Sequence, residues 1–162
     1  STRKESSAAS DVYKRQQVIL DHSKERHGNV PFDEREALGK SHQVNPMCGD
    51  EITAEVVAGD DGALEVRWEG DGCSISMASA SVACEIYDDE GREAFDRAEA
   101  EFHELMHSRG AVEADEDVLF DAAAFAGVSK FPARIKCALL AWIAIKDALS
   151  QAESSKEGGQ HD

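Results

Sequence analysis

Basic residues are scarce in this chain. Seventeen lysines and arginines face 33 aspartates and glutamates over 162 residues, leaving a formal charge of −16 and a pI near 4.7. A nucleic-acid surface needs a basic stripe, and this composition does not furnish one. The acid excess serves solubility first and the steering of basic partners second. Long apolar runs are also missing. The longest, Cys137 to Ile145, falls far short of the ~20 residues of a membrane span. Ser1 to Gln17 is polar and lacks the apolar stretch of a secretory leader, so no signal peptide is read and a cytoplasmic location is expected. Cysteine is sparse: Cys48, Cys73, Cys84 and Cys137, with no Cys-x-x-Cys pair. Without secretory features, four thiols point to metal binding or catalysis ahead of a disulfide framework. No internal repeat is present.

What remains suits one domain with a sizeable core. Ser1–Ser10 reads as a disordered tail, and Asp11 as the cap of a helix reaching about His22, with Val12, Tyr13, Val18, Ile19 and Leu20 as its apolar stripe. Ser23–Asp33 is expected as a loop, broken by Gly28, Asn29 and Pro31. Ala37–Val44 is weakly strand-like, and Asn45-Pro46-Met47-Cys48-Gly49-Asp50 is a turn. Ile52, Ala54 and Val56, then Leu64, Val66 and Trp68, alternate with mostly polar neighbours around Gly59-Asp60-Asp61-Gly62, which predicts an antiparallel hairpin. Its pairing brings Cys48 and Asp50 to the same end as Cys73.

Helices are predicted over Ser74–Tyr87 and Arg92–His107, the latter with Phe95, Ala98, Phe102, Leu105 and Met106 at helical spacing. Ala111–Asp117 reads as an acidic loop, Val118–Ala126 as a short helical turn and Gly127–Phe131 as a loop. Pro132 fits the first position of a last helix carrying Ile135, Leu139, Trp142, Ile143 and Leu149. The expected division is a tail over 1–10, a domain over 11–150 and a second tail over 151–162.

The chemistry gathers at Glu69–Ser81. Glycines flank Asp71, and Cys73 sits at a predicted helix N-terminus, where free N–H groups favour a thiolate. Cys48, Asp50, Cys73 and Cys137 make a plausible tetrahedral set for zinc. By spacing alone, with no Cys-x-x-Cys pair, buried inert cysteines are the stronger reading.

Three blocks add to this: Asn45–Asp50, Gly70–Ser81, and Phe131-Pro132-Ala133-Arg134-Ile135-Lys136-Cys137. They resemble the signature blocks of the IscU/NifU-N scaffold superfamily, and more closely its SufU branch. Val18-Ile19-Leu20-Asp21-His22 matches as well. The IscU pattern has a histidine before the last cysteine, whereas Lys136 stands here, and the longer Cys73–Cys137 segment is also SufU-like.

The resemblance implies an α+β fold, with a small three-stranded antiparallel sheet and about five helices. It implies a zinc-dependent sulfurtransferase that accepts persulfide sulfur from a PLP-dependent, SufS-like cysteine desulfurase and serves downstream iron–sulfur assembly proteins. Carried across, the zinc ligands are Cys48, Asp50, Cys73 and Cys137, with Cys48 the sulfur acceptor. Three thiolates and a carboxylate around Zn²⁺ leave a formal charge of about −2. Lys130, Arg134 and Lys136 stand nearby in sequence to offset it, and Arg134 is expected to bridge to Cys48 or its persulfide. One alternative is a scaffold holding a [2Fe–2S] cluster on the same ligands; another is a structural zinc domain without sulfur traffic. Cys84 lies outside the blocks and reads as a buried helical residue. His103 and His107 have metal-binding spacing but no matching third ligand.

Overall fold

The computed structural model describes the backbone of residues 2–161 and the side chains of residues 12–154. The elements are α1 (Thr2–Glu25), β1 (Gly39–Asn45), β2 (Asp50–Ala58), β3 (Leu64–Asp71), α2 (Ser74–Glu90), α3 (Arg92–His107), α4 (Glu116–Leu119), a 3-10 segment (Phe120–Lys130) and α5 (Pro132–His161). The strands form one antiparallel sheet in the order β1-β2-β3. The α+β architecture matches the expectation, and so does the hairpin. Gly59 N–H bonds Ala63 O and Gly62 N–H bonds Gly59 O, closing the turn between β2 and β3.

Ile52, Ala54, Val56, Val66 and Trp68 face the core, where α5 and α2 cover them. On the opposite side, Glu55 and Arg67 are themselves buried. Arg67 pairs with Glu55 and with Asp33 (2.8 Å) beneath Phe32, so the loop after α1 closes over the sheet's second face. α2 is a helix of small residues because it is enclosed. Ser76 donates to Cys137 O at 3.2 Å and Ser79 to Ala138 O at 2.5 Å, which lets its backbone lie close against α5. Trp142 of α5 is stacked between Phe95 (5.4 Å) and Phe102 (4.9 Å) of α3, and its indole N–H bonds Ser79.

Several local readings change. α1 runs past both expected ends, and Val12, Tyr13 and Leu20 are exposed; the helix is instead anchored by buried His22, which bonds Ser81 and Asp121, both at 2.8 Å. A charged-looking position thus fixes α1, because its partners come from α2 and the 3-10 segment. The loop expected over Gly127–Phe131 is 3-10 helix through Lys130, and α4 begins inside the acidic stretch, capped by Asp115 accepting from Asp117 N–H. At the C-terminal end Ala152 is fully buried and Gln151 accepts from Lys40 N–H, so packing against β1 continues past residue 150. The tail expected over residues 1–10, and the second one from residue 155 onward, lie outside the residues whose side chains are described.

Candidate metal centre

The end of the hairpin builds the site. Asn45 O accepts from Cys48 N–H (3.2 Å) and Gly49 N–H (2.9 Å), a tight turn that Gly49 completes with φ of 73°. That turn delivers Cys48 to the surface and starts β2 at Asp50, whose carboxylate is fully buried. Across the hairpin, β3 ends at Asp71 and Cys73 becomes the N-cap of α2, also exposed. Asp50 Oδ1 accepts from Cys73 N–H at 2.9 Å, so the carboxylate occupies the positive end of that helix. Gly72 is required here, because a Cβ at that position would come within 2.4 Å of Asp50 Oδ1. Cys137 arrives from the second turn of α5 and is buried.

These placements converge. One oxygen of Asp50 and the sulfurs of Cys48 and Cys137 lie within 4.8 Å of one another. Cys73 Sγ stands 3.9 Å from Asp50 Oδ2. Ala133 O is approached by Cys48 Sγ (3.9 Å) and Cys137 Sγ (3.8 Å), so the first turn of α5 ties the two thiols together.

The electrostatics separate the donors. Burial alone would raise the Asp50 carboxyl; hydrogen bonds, first from the Cys137 thiol and then from Cys73 N–H, outweigh it and hold the group below the ordinary carboxylate range. The Cys137 thiol is pushed well up, by burial first and then by its bonds to Asp50 and Cys48. Without a metal, the pair therefore keeps its proton on sulfur and its charge on oxygen. A divalent cation could replace that proton at the Cys48–Asp50–Cys137 group, which Cys73 borders through Asp50, and soft sulfurs with one hard oxygen suit zinc.

The NifU-like N terminal domain family matches residues 14–138. The chain belongs to that family. It is 36% identical over 144 residues to the zinc-dependent sulfurtransferase SufU of Bacillus subtilis, covering 88% of this chain and 91% of the relative. It is 34% identical over 139 residues to the iron–sulfur cluster assembly scaffold protein IscU of Streptococcus pyogenes, covering 86% and 84%. Among solved structures it is similar to the SUF-system protein FiSufU of Fervidobacterium islandicum (TM-score 0.66, 31% identity, 82% of this chain and 93% of that one). It is also similar to the N-terminal part of a NifU-like protein of Brucella abortus (TM-score 0.65, 25% identity, 89% and 96%).

Other NifU-domain positions fall as follows. Arg134 is exposed and lines a groove beside α1; no hydrogen bond or ion pair joins it to Cys48 among the described residues. Lys130 and Lys136 are exposed as well. Cys84 is buried beside Val66 O (3.5 Å), and burial holds its thiol strongly protonated. It approaches His27 and Asp88, but those two bond each other at 2.7 Å. His103 and His107 stack on one another, with His107 bonded to His103 O. Asn45 was without an assigned role in the sequence. It is buried, and its side-chain amide donates to Cys137 Sγ at 3.5 Å. Its only signal was its place in the Asn45–Asp50 block.

Proposed function

We propose that this protein is a zinc-dependent sulfur acceptor for a cysteine desulfurase, acting in iron–sulfur cluster assembly. The observation that carries the reading is the fully buried Asp50 carboxylate, which faces three thiols and no cationic side chain among the described residues. Its hydrogen bonds keep this carboxylate ionised despite its burial, so a fixed negative charge stands beside the thiols, where a divalent cation would meet hard and soft donors together. Cys48, Asp50, Cys73 and Cys137 would hold zinc, which when bound stabilises thiolates at neutral pH and shields them from oxidation.

The chain's own residues divide the remaining work. Asp50 and Cys137 are buried and fixed by β2 and α5, whereas Cys48 is exposed on its turn. Cys48 is the acceptor: its thiolate attacks the outer sulfur of the donor's persulfide, the donor's S–S bond breaks, and the donor cysteine leaves as a thiolate. The new S–S bond leaves a persulfide on Cys48, with no net oxidation. Arg134, which directly follows Ala133, whose carbonyl Cys48 Sγ approaches at 3.9 Å, is the cation proposed to meet the added anionic sulfur. The name of the Bacillus subtilis relative, a zinc-dependent sulfurtransferase, supports the sulfur-transfer reading.

The IscU relatives support a second reading, a cluster scaffold on the same four donors. Desulfurase turnover measured with and without the protein, with zinc and iron quantified in the same sample, separates them. The first reading expects a colourless protein with one zinc that raises turnover. The second expects an iron-loaded, coloured protein that passes its cluster to an acceptor. Cys48→Ala is expected to abolish sulfur acceptance while retaining weakened zinc binding. A variant that still accepts sulfur overturns the assignment of Cys48.

A further inference from the structure

The chain pairs many of its few cations. Arg35, Lys40, Arg67, Arg92, Arg97 and Lys146 each contact a carboxylate. Arg15 and Arg134 are two of those that contact none among the described residues, and they line the same groove between α1, the 3-10 segment and the start of α5. Val12, Ile19, Val128 and Phe131 form its apolar wall, with Val12 53% and Phe131 58% exposed. Among the described residues no acidic side chain lines it, and the acids nearest in lining, Glu116 and Asp121, belong to an adjoining cavity that Arg15 shares. In a chain carrying 33 acids against 17 bases, a groove whose described lining holds two arginines and no acid is a local reversal of sign. The groove holds about 270 Å³, below the ~300–1,000 Å³ typical of small-molecule sites. That volume suits an apolar anchor side chain of a peptide.

We infer that this groove docks an acidic, apolar-anchored peptide segment of a partner protein. The arginines offer planar, bidentate partners to its carboxylates, and Val12 and Phe131 cover its anchor. The overall charge of −16 does not forbid this, since distant charges are screened beyond about 8 Å at physiological ionic strength. The groove adjoins the thiols: Ala133, approached by Cys48 and Cys137, directly precedes Arg134. A segment seated there would hold its parent protein against the metal centre.

The test titrates the isotope-labelled full chain with a short capped peptide alternating Glu with Leu and Phe, and with its counterpart carrying Lys in place of Glu. The acidic peptide is expected to saturate, shifting amides of residues 12–19 and 124–134, and the Lys peptide is not. Arg15→Glu, at a half-buried position, and Val12→Asp, at an exposed one, should each weaken binding roughly tenfold or more, and Arg15→Gln by less than Arg15→Glu. Equal binding of both peptides, shifts centred elsewhere, no saturation at millimolar peptide, or an unchanged Arg15→Glu would each overturn the inference. This binding requires neither metal nor sulfur, so its failure and that of the sulfur-transfer reading are separable.

Discussion

At Asp50, one carboxylate answers to two masters: the α2 N-terminus through Cys73 N–H, and the cysteines through its other oxygen. Because its folded pKa is depressed, the group contributes stability above its unfolded value, and that contribution is lost as pH falls through the folded value. In chelator-treated protein, Asp50→Asn should flatten this acid-side loss; denaturant midpoints from neutral to strongly acid pH would show it. Gly72→Ala forces a methyl against the same carboxylate. It should cost about 1–3 kcal/mol and weaken zinc retention, read by denaturation with and without metal. The four proposed ligands could be picked out because cysteines and an aspartate stand in recognisable blocks, and the structure groups Cys48, Asp50 and Cys137. Asn45 and His22 were not, because their buried hydrogen bonds reach partners 59 to 99 residues away, and nothing local signals such contacts.

Among the elements, period-two alternation disclosed β2 and β3, and the aromatic spacing of α3 disclosed its buried face. The same logic failed at α1, whose apolar stripe is largely exposed, and at Arg67 and Glu55, which a strand pattern places toward solvent. They are buried because the loop carrying Asp33 and Phe32 folds over them, a tertiary event that strand periodicity does not encode. Removing one member strands the other's charge, so Arg67→Ala should lose about 3–5 kcal/mol in urea unfolding. Replacing both Arg67 and Glu55 with apolar residues of similar volume should recover most of that loss. The 3-10 segment was missed over Gly127–Lys130 because a glycine between helices reads as a break.

For the whole molecule, metal and fold are linked. If the site binds zinc in the folded state alone, metal at ~1,000 times its dissociation constant should add about 4 kcal/mol, seen as a rise in Tm that a chelator reverses. Uptake should release protons from the thiols, which calorimetry in buffers of different ionisation enthalpy would count. Neither Tm nor proton release should change in a chain whose cysteines are merely buried, which is the reading that spacing alone left open.

Both tryptophans of the chain are sealed in the interior: Trp68 bonds His27 O, and Trp142 lies between two phenylalanine rings. Their ultraviolet emission should therefore be blue-shifted in the native protein and move red only when the interior opens. Events at the surface thiols or in the arginine groove should leave that colour untouched. The molecule thus carries an internal dye that distinguishes loss of structure from occupancy of its surface.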